Sequence, residues 1–435
     1  MLTRLIVRNF KRFREVDIEL GNPVVFIGPN NSGKTTALQA LTLWHTGVRR
    51  WQEKRGGKAA PEKRPGVTIN RRDLVAVPVP DANLLWRNLH VRDVQRINDE
   101  QKTQNIRVDI IVEGVTAGRE WRCGIEFDYA NEESFYCRPL RLPDHPPGGR
   151  MQVPAEAAQV KVAFLPPMSG LSAQETRLDT GAINVRIGEG RTAEVLRNLC
   201  YQVAGAGNEV VPGEAGKRWG KLAEQIRRLF GVTLNPPKYV AERGEIVMSY
   251  REVGGGPVLD ISAAGRGLHQ TLLVLAHLYA NPGAVLMLDE PDAHLEILRQ
   301  REIYQLLVDT AQEQDSQVIA ASHSEVLLNE AADRHVVVAF VGKPHRITDR
   351  GSQLHKALRS IGFEHYYLAE EQGWVLYLEG STDLAILRSF AGILKHRALE
   401  ALARPYVHYV ENQPKKAQDH FYGLKDAKRD LVLLR

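Results

Sequence analysis

The stretch Val24 to Gln39, V-V-F-I-G-P-N-N-S-G-K-T-T-A-L-Q, constrains the chain more than any other. An apolar run, Val24 to Ile27, leads into a loop, and a helix-compatible run, Thr35 to Leu43, leads out. Between them Gly28 to Thr35 satisfy the spacing G-x-x-x-x-G-K-S/T, which in that setting makes a cradle for phosphates. Gly28 and Gly33 let the backbone wrap an anion, successive N–H groups point inward, and the positive end of the following helix faces the same charge. The loop is expected to hold a nucleoside triphosphate through Gly28, Asn30, Asn31, Ser32, Gly33, Lys34, Thr35 and Thr36. Lys34 would reach the β- and γ-phosphates, and the Thr35 hydroxyl would ligate Mg²⁺.

A chain of 435 residues is long enough for two or three domains. Hydrophobic residues at 43% and charged residues at 25% fit a soluble globular protein, and a formal charge of +5 is compatible with nucleic acid without demanding it. Cys123, Cys137 and Cys200 form neither a metal-ligand spacing nor an even framework, so a reducing cytoplasm is the expected setting. The N-terminus has no signal-peptide pattern, and no apolar stretch reaches the length of a membrane span, so no membrane partner is expected.

Taken in order, Leu2 to Asn9 and Phe10 to Leu20 read as a hairpin ahead of the loop. Arg49 to Arg72 carry nine Lys or Arg against two Glu, with Gly and Pro interspersed, and are expected as a basic, mobile surface insertion able to touch a phosphate backbone. Alternation between Asn105 and Leu142 predicts antiparallel strands. A short strand is expected at Val162 to Leu165, helices at Thr192 to Val203 and Trp219 to Phe230, and strands at Glu245 to Glu252 and Val258 to Ile261.

The loop needs an acidic partner, and Ala284 to Leu288 form an apolar strand ending in Asp289-Glu290-Pro291-Asp292, 255 positions after Lys34. Asp289 is expected on the metal and Glu290 on the attacking water. Upstream, I-S-A-A-G-R-G-L-H-Q (261 to 270) opens a helix, and Ser262 and Gly265 at its start suggest a second anion site. Downstream, Q-V-I-A-A-S-H-S (317 to 324) delivers His323 from the end of a strand, placed to contact a γ-phosphate or water.

These parts in this order resemble the ABC-type ATPase heads. That resemblance implies a homodimer closing over two ATP molecules, with the serine of one subunit reaching the nucleotide of the other. Within the class, R-N-F-K-R-F near the N-terminus, F-L-P-P-M-S-G-L (164 to 171), L-D-E-P-D-A-H-L (288 to 295) and A-S-H-S (321 to 324) look like the OLD (overcoming lysogenization defect) family of ATPase-nucleases and their RecF-like relatives. Ala263, Ala264 and Arg266 depart from the commoner glycine-rich signature. The expected fold class is α/β: an ABC-type P-loop ATPase head with an antiparallel β insertion over residues 1–350, a linker over 351–372, and a partial Toprim-like α/β domain over 373–435.

That last assignment rests on Trp374 to Leu378, an apolar strand, followed by Glu379-Gly380-Ser381-Thr382-Asp383 and a helical run. The pattern resembles the first motif of Toprim domains, which implies Glu379 as acid/base or metal ligand and Asp383 as a further metal ligand. Tyr406 to Val410, Lys416 to Lys428 and Leu431 to Leu434 read as strand, helix and the start of a third strand. No Asp-x-Asp pair follows Glu379, so two-metal chemistry lacks its carboxylates. The expectation is an ATP- and Mg²⁺-dependent ATPase that acts on DNA through an attached or separate nuclease partner and does not cut DNA by itself. The competing readings are the energising subunit of a transporter and a nucleotide-switched scaffold without catalysis.

Overall fold

The computed structural model describes the chain except residues 57–65, 98–99, 143–148, 206–213, 333, 341, 348–372, 404, 412 and 428–435. The expected linker 351–372, the strand expected at Leu431 to Leu434 and the middle of the basic insertion lie outside the described residues.

One six-stranded sheet organises the molecule, in the order Val162–Leu165, Val285–Asp289, Gln317–Ser322, Val24–Ile27, Val336–Ala339, His345–Arg346. The first five strands run parallel and the last is antiparallel. V-V-F-I, V-L-M-L and V-I-A-A are unbroken apolar runs because both faces of this sheet are covered. Alternate residues of one strand therefore enter different cores. Val24 and Phe26 join a cluster with Trp44 and Phe127, while Val25 and Ile27 join one with Leu327, Leu328 and Val337.

A second sheet is antiparallel, ordered Phe13–Glu19, Leu2–Phe10, Val108–Thr116, Arg119–Asn131, Ser134–Pro139, Val67–Asn70. The helix Lys34–Arg55 packs between the two sheets, and Trp44 donates its indole N–H to Cys123 O at 3.0 Å. A Cβ on Gly47 would stand 2.9 Å from the Phe127 ring, so glycine sets how closely this helix approaches the antiparallel sheet. The buried Gln317 amide ties the sheets together. Its Oε1 accepts from Leu2 N at 2.7 Å, and its Nε2 donates to the carbonyls of Leu2 and Gly21, each at 2.8 Å.

Two expectations are corrected here. Arg49–Arg55 belongs to the helix and is not part of a mobile insertion, because Val48 and Trp51 continue its buried stripe and Glu53 pairs with Arg49 and Arg50 at 3.2 Å. Gly56, at φ 51°, ends it, and Val67–Asn70 returns as a sheet strand. The helix expected to open at residue 261 begins instead at Arg266, behind a 3₁₀ turn Ile261–Ala263, because the Asp260 carboxylate accepts Ser262 N at 2.9 Å.

The opposite face of the parallel sheet is covered by Leu196–Val203, Glu214–Phe230, Arg266–Ala280 and Ile297–Glu313, all α-helices. At the C-terminal end, strands Leu376–Leu378 and Val407–Tyr409 pair in parallel, accompanied by helices Ser381–Ile393 and Pro414–Ala427. Tyr406 and Leu424 of this unit pack into the cluster that holds Val25 and Ile27. Ile386, Phe390, Ile393 and Leu394 stand exposed. Among the described residues no helix is long and apolar enough to cross a membrane.

Candidate active site

Parallel pairing fixes which strand ends meet. Asp289 is level with Ala321, and Ser322 with Ile27, so Gly28, Glu290 and His323 leave the sheet side by side although they come from distant parts of the chain. This is the carboxyl edge, where open α/β sheets place ligands.

The loop after Ile27 is shaped by close approach. Gly33 has φ 110°, and a Cβ there would lie 2.9 Å from Arg12 Cδ and from the Phe13 ring; at Gly28 it would lie 2.9 Å from Phe340 O. Asn31, at φ 62°, turns the exposed tip beside Asn30. Lys34 is buried, and its ammonium donates to Gly28 O at 2.7 Å and Pro29 O at 2.8 Å. Burial lowers its pKa, against the opposing pull of Glu290, Asp289 and Asp292. The Thr35 hydroxyl, at the start of the helix, donates to Asp289 Oδ2 at 2.7 Å. Thr36 follows, half-buried, on the same helix.

Three carboxylates line the acidic side. Burial raises the pKa of Asp289, opposed by the Thr35 hydrogen bond, and burial likewise raises that of Asp292. Ser322 Oγ donates to Asp292 Oδ2 at 2.9 Å, while Asp292 Oδ1 has no partner. Glu290 is left-handed at φ 49°, its N–H donates to Ala321 O at 2.8 Å, and its Oε1 lies 3.3 Å from His323 Nδ1.

These residues fit a metal-bound polyphosphate. Ser32 Oγ is shielded from solvent without a hydrogen-bond partner, a donor suited to an anion at the loop. A hydroxyl and a carboxylate, Thr35 and Asp289, suit a hard divalent cation that prefers oxygen ligands.

The structure does not bring every expected residue here. Ser262 lines a separate cleft of about 700 Å³ with Ser169, Gly170, Ser172, Arg266 and His269, and no residue of the phosphate loop borders it. Gly265 caps the helix that forms one wall. Glu379 is exposed, and the Asp383 carboxylate accepts Gly380 N at 3.0 Å, which caps its own helix. Among the described residues no group of three or more His, Cys, Asp or Glu is arranged to hold a metal ion. Two participants escaped the sequence reading. Ser322, which orients Asp292, was hidden in an apolar strand, and Gln270, near the Glu290 backbone, in an apolar helix.

Comparison with known families agrees with this geometry. Residues 1–113 match the family profile described as "AAA ATPase domain", and residues 202–329 match "AAA domain, putative AbiEii toxin, Type IV TA system". The chain carries AAA-type ATPase sequence. The first match contains Gly28 to Thr35, and the second contains Ser262, Asp289, Glu290 and His323. An "OLD nuclease" of Thermus scotoductus is 46% identical over 43 residues, a stretch that covers 10% of this chain and 8% of that relative. Among solved structures, an Smc head bound to the C-winged helix domain of ScpA is 14% identical, over 82% of this chain and 99% of that one, with a TM-score of 0.42. The SMC head domain from Thermotoga maritima is 15% identical, over 80% of this chain and 98% of that one, with a TM-score of 0.38.

Proposed function

We propose that the chain is a Mg²⁺-dependent ATP hydrolase of the OLD type, working as a homodimer on DNA together with a nuclease. The observation that carries the hydrolase reading is the Thr35–Asp289 contact at 2.7 Å beside the Lys34 ammonium, joining segments 254 residues apart. When bound, Mg²⁺ would neutralise phosphate charge. Thr35 and Asp289 are the residues to hold it. Lys34 would exchange its two carbonyl acceptors for phosphate oxygens, and Ser32 would add a donor. Glu290 would take the proton of the water that attacks the γ-phosphorus as the bond to the bridging oxygen breaks. His323, within reach of Glu290, would fix the orientation of that carboxylate.

The homodimer is supported by the Ser262 cleft, which is separate from the phosphate loop of its own chain and open to a nucleotide held by a second copy. The DNA and nuclease reading is supported by the name of the Thermus relative and the excess of five positive charges. Glu379 and Asp383 would belong to the opening motif of a Toprim-like unit. A cytoplasmic setting fits three cysteines that are free and buried.

The test is a paired assay of the protein and Lys34→Ala, with Mg²⁺, with and without DNA, reading phosphate release and nicking of a supercoiled plasmid. Lys34-dependent phosphate release without nicking supports the proposal. Phosphate release that survives Lys34→Ala overturns the hydrolase site, and nicking abolished by Glu379→Ala overturns the claim that this chain does not cut.

A further inference from the structure

Glu290 occupies a backbone conformation that needs outside support. A φ of 49° is unusual for a residue with a side chain, and such conformations persist where the surroundings hold them. Support on one side comes from the strand that delivers His323, where Glu290 N donates to Ala321 O at 2.8 Å. On the other side stands the side-chain amide of Gln270, whose Nε2 lies 3.4 Å from Glu290 O and 3.3 Å from Pro291 O.

Gln270 belongs to the helix Arg266–Ala280, is 1% exposed, and leaves its Oε1 without a hydrogen-bond partner. A buried, half-satisfied amide costs stability relative to an apolar side chain, so packing does not account for it. Its two bonds are also longer than the usual 2.9–3.0 Å for this type. A small advance of the helix toward the acidic strand would tighten both. Just ahead of that helix, which starts at Arg266, the Ser262 turn is held by Asp260, whose carboxylate also accepts from the buried Arg197 at 2.9 Å, and Arg266 and His269 of the helix line the same cleft. One rigid element thus has the Ser262 cleft at one end and the Glu290 backbone against its flank.

We infer that Gln270 is a positioning residue that couples the Ser262 face to the alignment of Glu290 within the same chain. Engagement of the Ser262 face by a nucleotide draws the helix in, the amide grips the two carbonyls, and the Glu290 carboxylate is set for proton transfer. The inference rests on the hydrolase reading above, and its test separates the two.

The variants are Gln270→Met, which keeps the volume and removes the donor, and Gln270→Asn, which keeps the amide and shortens its reach, both in the full chain. Three quantities are measured: kcat and KM for Mg-ATP, affinity for a fluorescent ATP analogue, and amide hydrogen exchange in nucleotide-free protein at Glu290 and at Ala293, whose N–H donates to Glu290 O at 3.1 Å. Both variants should lower kcat roughly 10- to 100-fold with KM and affinity within about twofold, and speed exchange at those two amides selectively. Unchanged exchange in Gln270→Met overturns the inference, as does a kcat loss matched by an equal loss of affinity. If the unaltered protein shows no Lys34-dependent turnover, the hydrolase reading fails, and the exchange data still decide whether Gln270 holds the Glu290 backbone.

Discussion

The chain presents an acid at the end of an apolar strand twice, and the two places have different structural outcomes. At Asp289 and Glu290 the strand lies between Val162–Leu165 and Gln317–Ser322, with Val24–Ile27 one strand further on, and remote side chains converge on the acids: Thr35 on Asp289, His323 on Glu290 and Ser322 on the nearby Asp292. At Glu379 and Asp383 the strand has, among the described residues, one parallel neighbour, Val407–Tyr409, and Asp383 is occupied by the amide of Gly380 three residues away. A strand, an acid and a helix are therefore not enough to make a site. What distinguishes the first region is convergence of side chains from remote segments, which concentrates charge in a buried place and leaves Ser32 Oγ and Asp292 Oδ1 unsatisfied.

The contrast should appear most strongly in stability. Trp44, fully buried between the sheets and stacked at 6.2 Å on Trp121, is expected to cost about 3–5 kcal/mol on Trp44→Ala in denaturant unfolding. Phe390, 59% exposed on the C-terminal unit, should change stability by only about 0.5 kcal/mol or less on Phe390→Ala. Equal effects would show that the C-terminal unit buries this face as thoroughly as the sheet core does.

A second expectation concerns acid. His277, fully buried on the helix Arg266–Ala280, has its pKa pushed by burial from 6.5 down to about 4. Above 6.5 the folded and unfolded chains are both neutral there. Between 6.5 and about 4 the unfolded chain takes up a proton that the folded chain refuses, so stability falls as pH falls through that window, by up to about 3 kcal/mol. His277→Met should flatten this part of the unfolding profile, and an unaltered slope would remove His277 as its cause. A further effect is local. Asp383→Ala should loosen the helix Ser381–Ile393 by about 1 kcal/mol, read as faster amide exchange in its first turn, and leave ATP turnover unchanged. A loss of turnover would join the two regions functionally.

Much of the candidate site was legible in the sequence because its pieces are local: a glycine loop between strand and helix, an apolar run ending in Asp-Glu, and a strand ending in Ser-His. Their adjacency follows from parallel pairing, which continuous apolar runs announce. Helix limits were less legible. Arg49 to Arg55 looked like a charged loop because charge dominates composition, while Val48 and Trp51, spaced for the buried face, decided the fold. Ser262 looked like a helix start because the Asp260 carboxylate that captures its amide is itself held by Arg197, which comes from a distant part of the chain. Gln270 was invisible for a similar reason: a lone polar residue in an apolar helix shows its purpose only when the Glu290 and Pro291 carbonyls are placed against it.

The most direct test is Glu290→Gln, which preserves shape while removing the proton acceptor. The measurement is phosphate release at saturating Mg-ATP alongside nucleotide affinity. The expected result is affinity within about twofold of the unaltered protein and turnover lowered at least roughly 100-fold. Turnover at the unaltered rate would contradict the assignment of Glu290 to the attacking water.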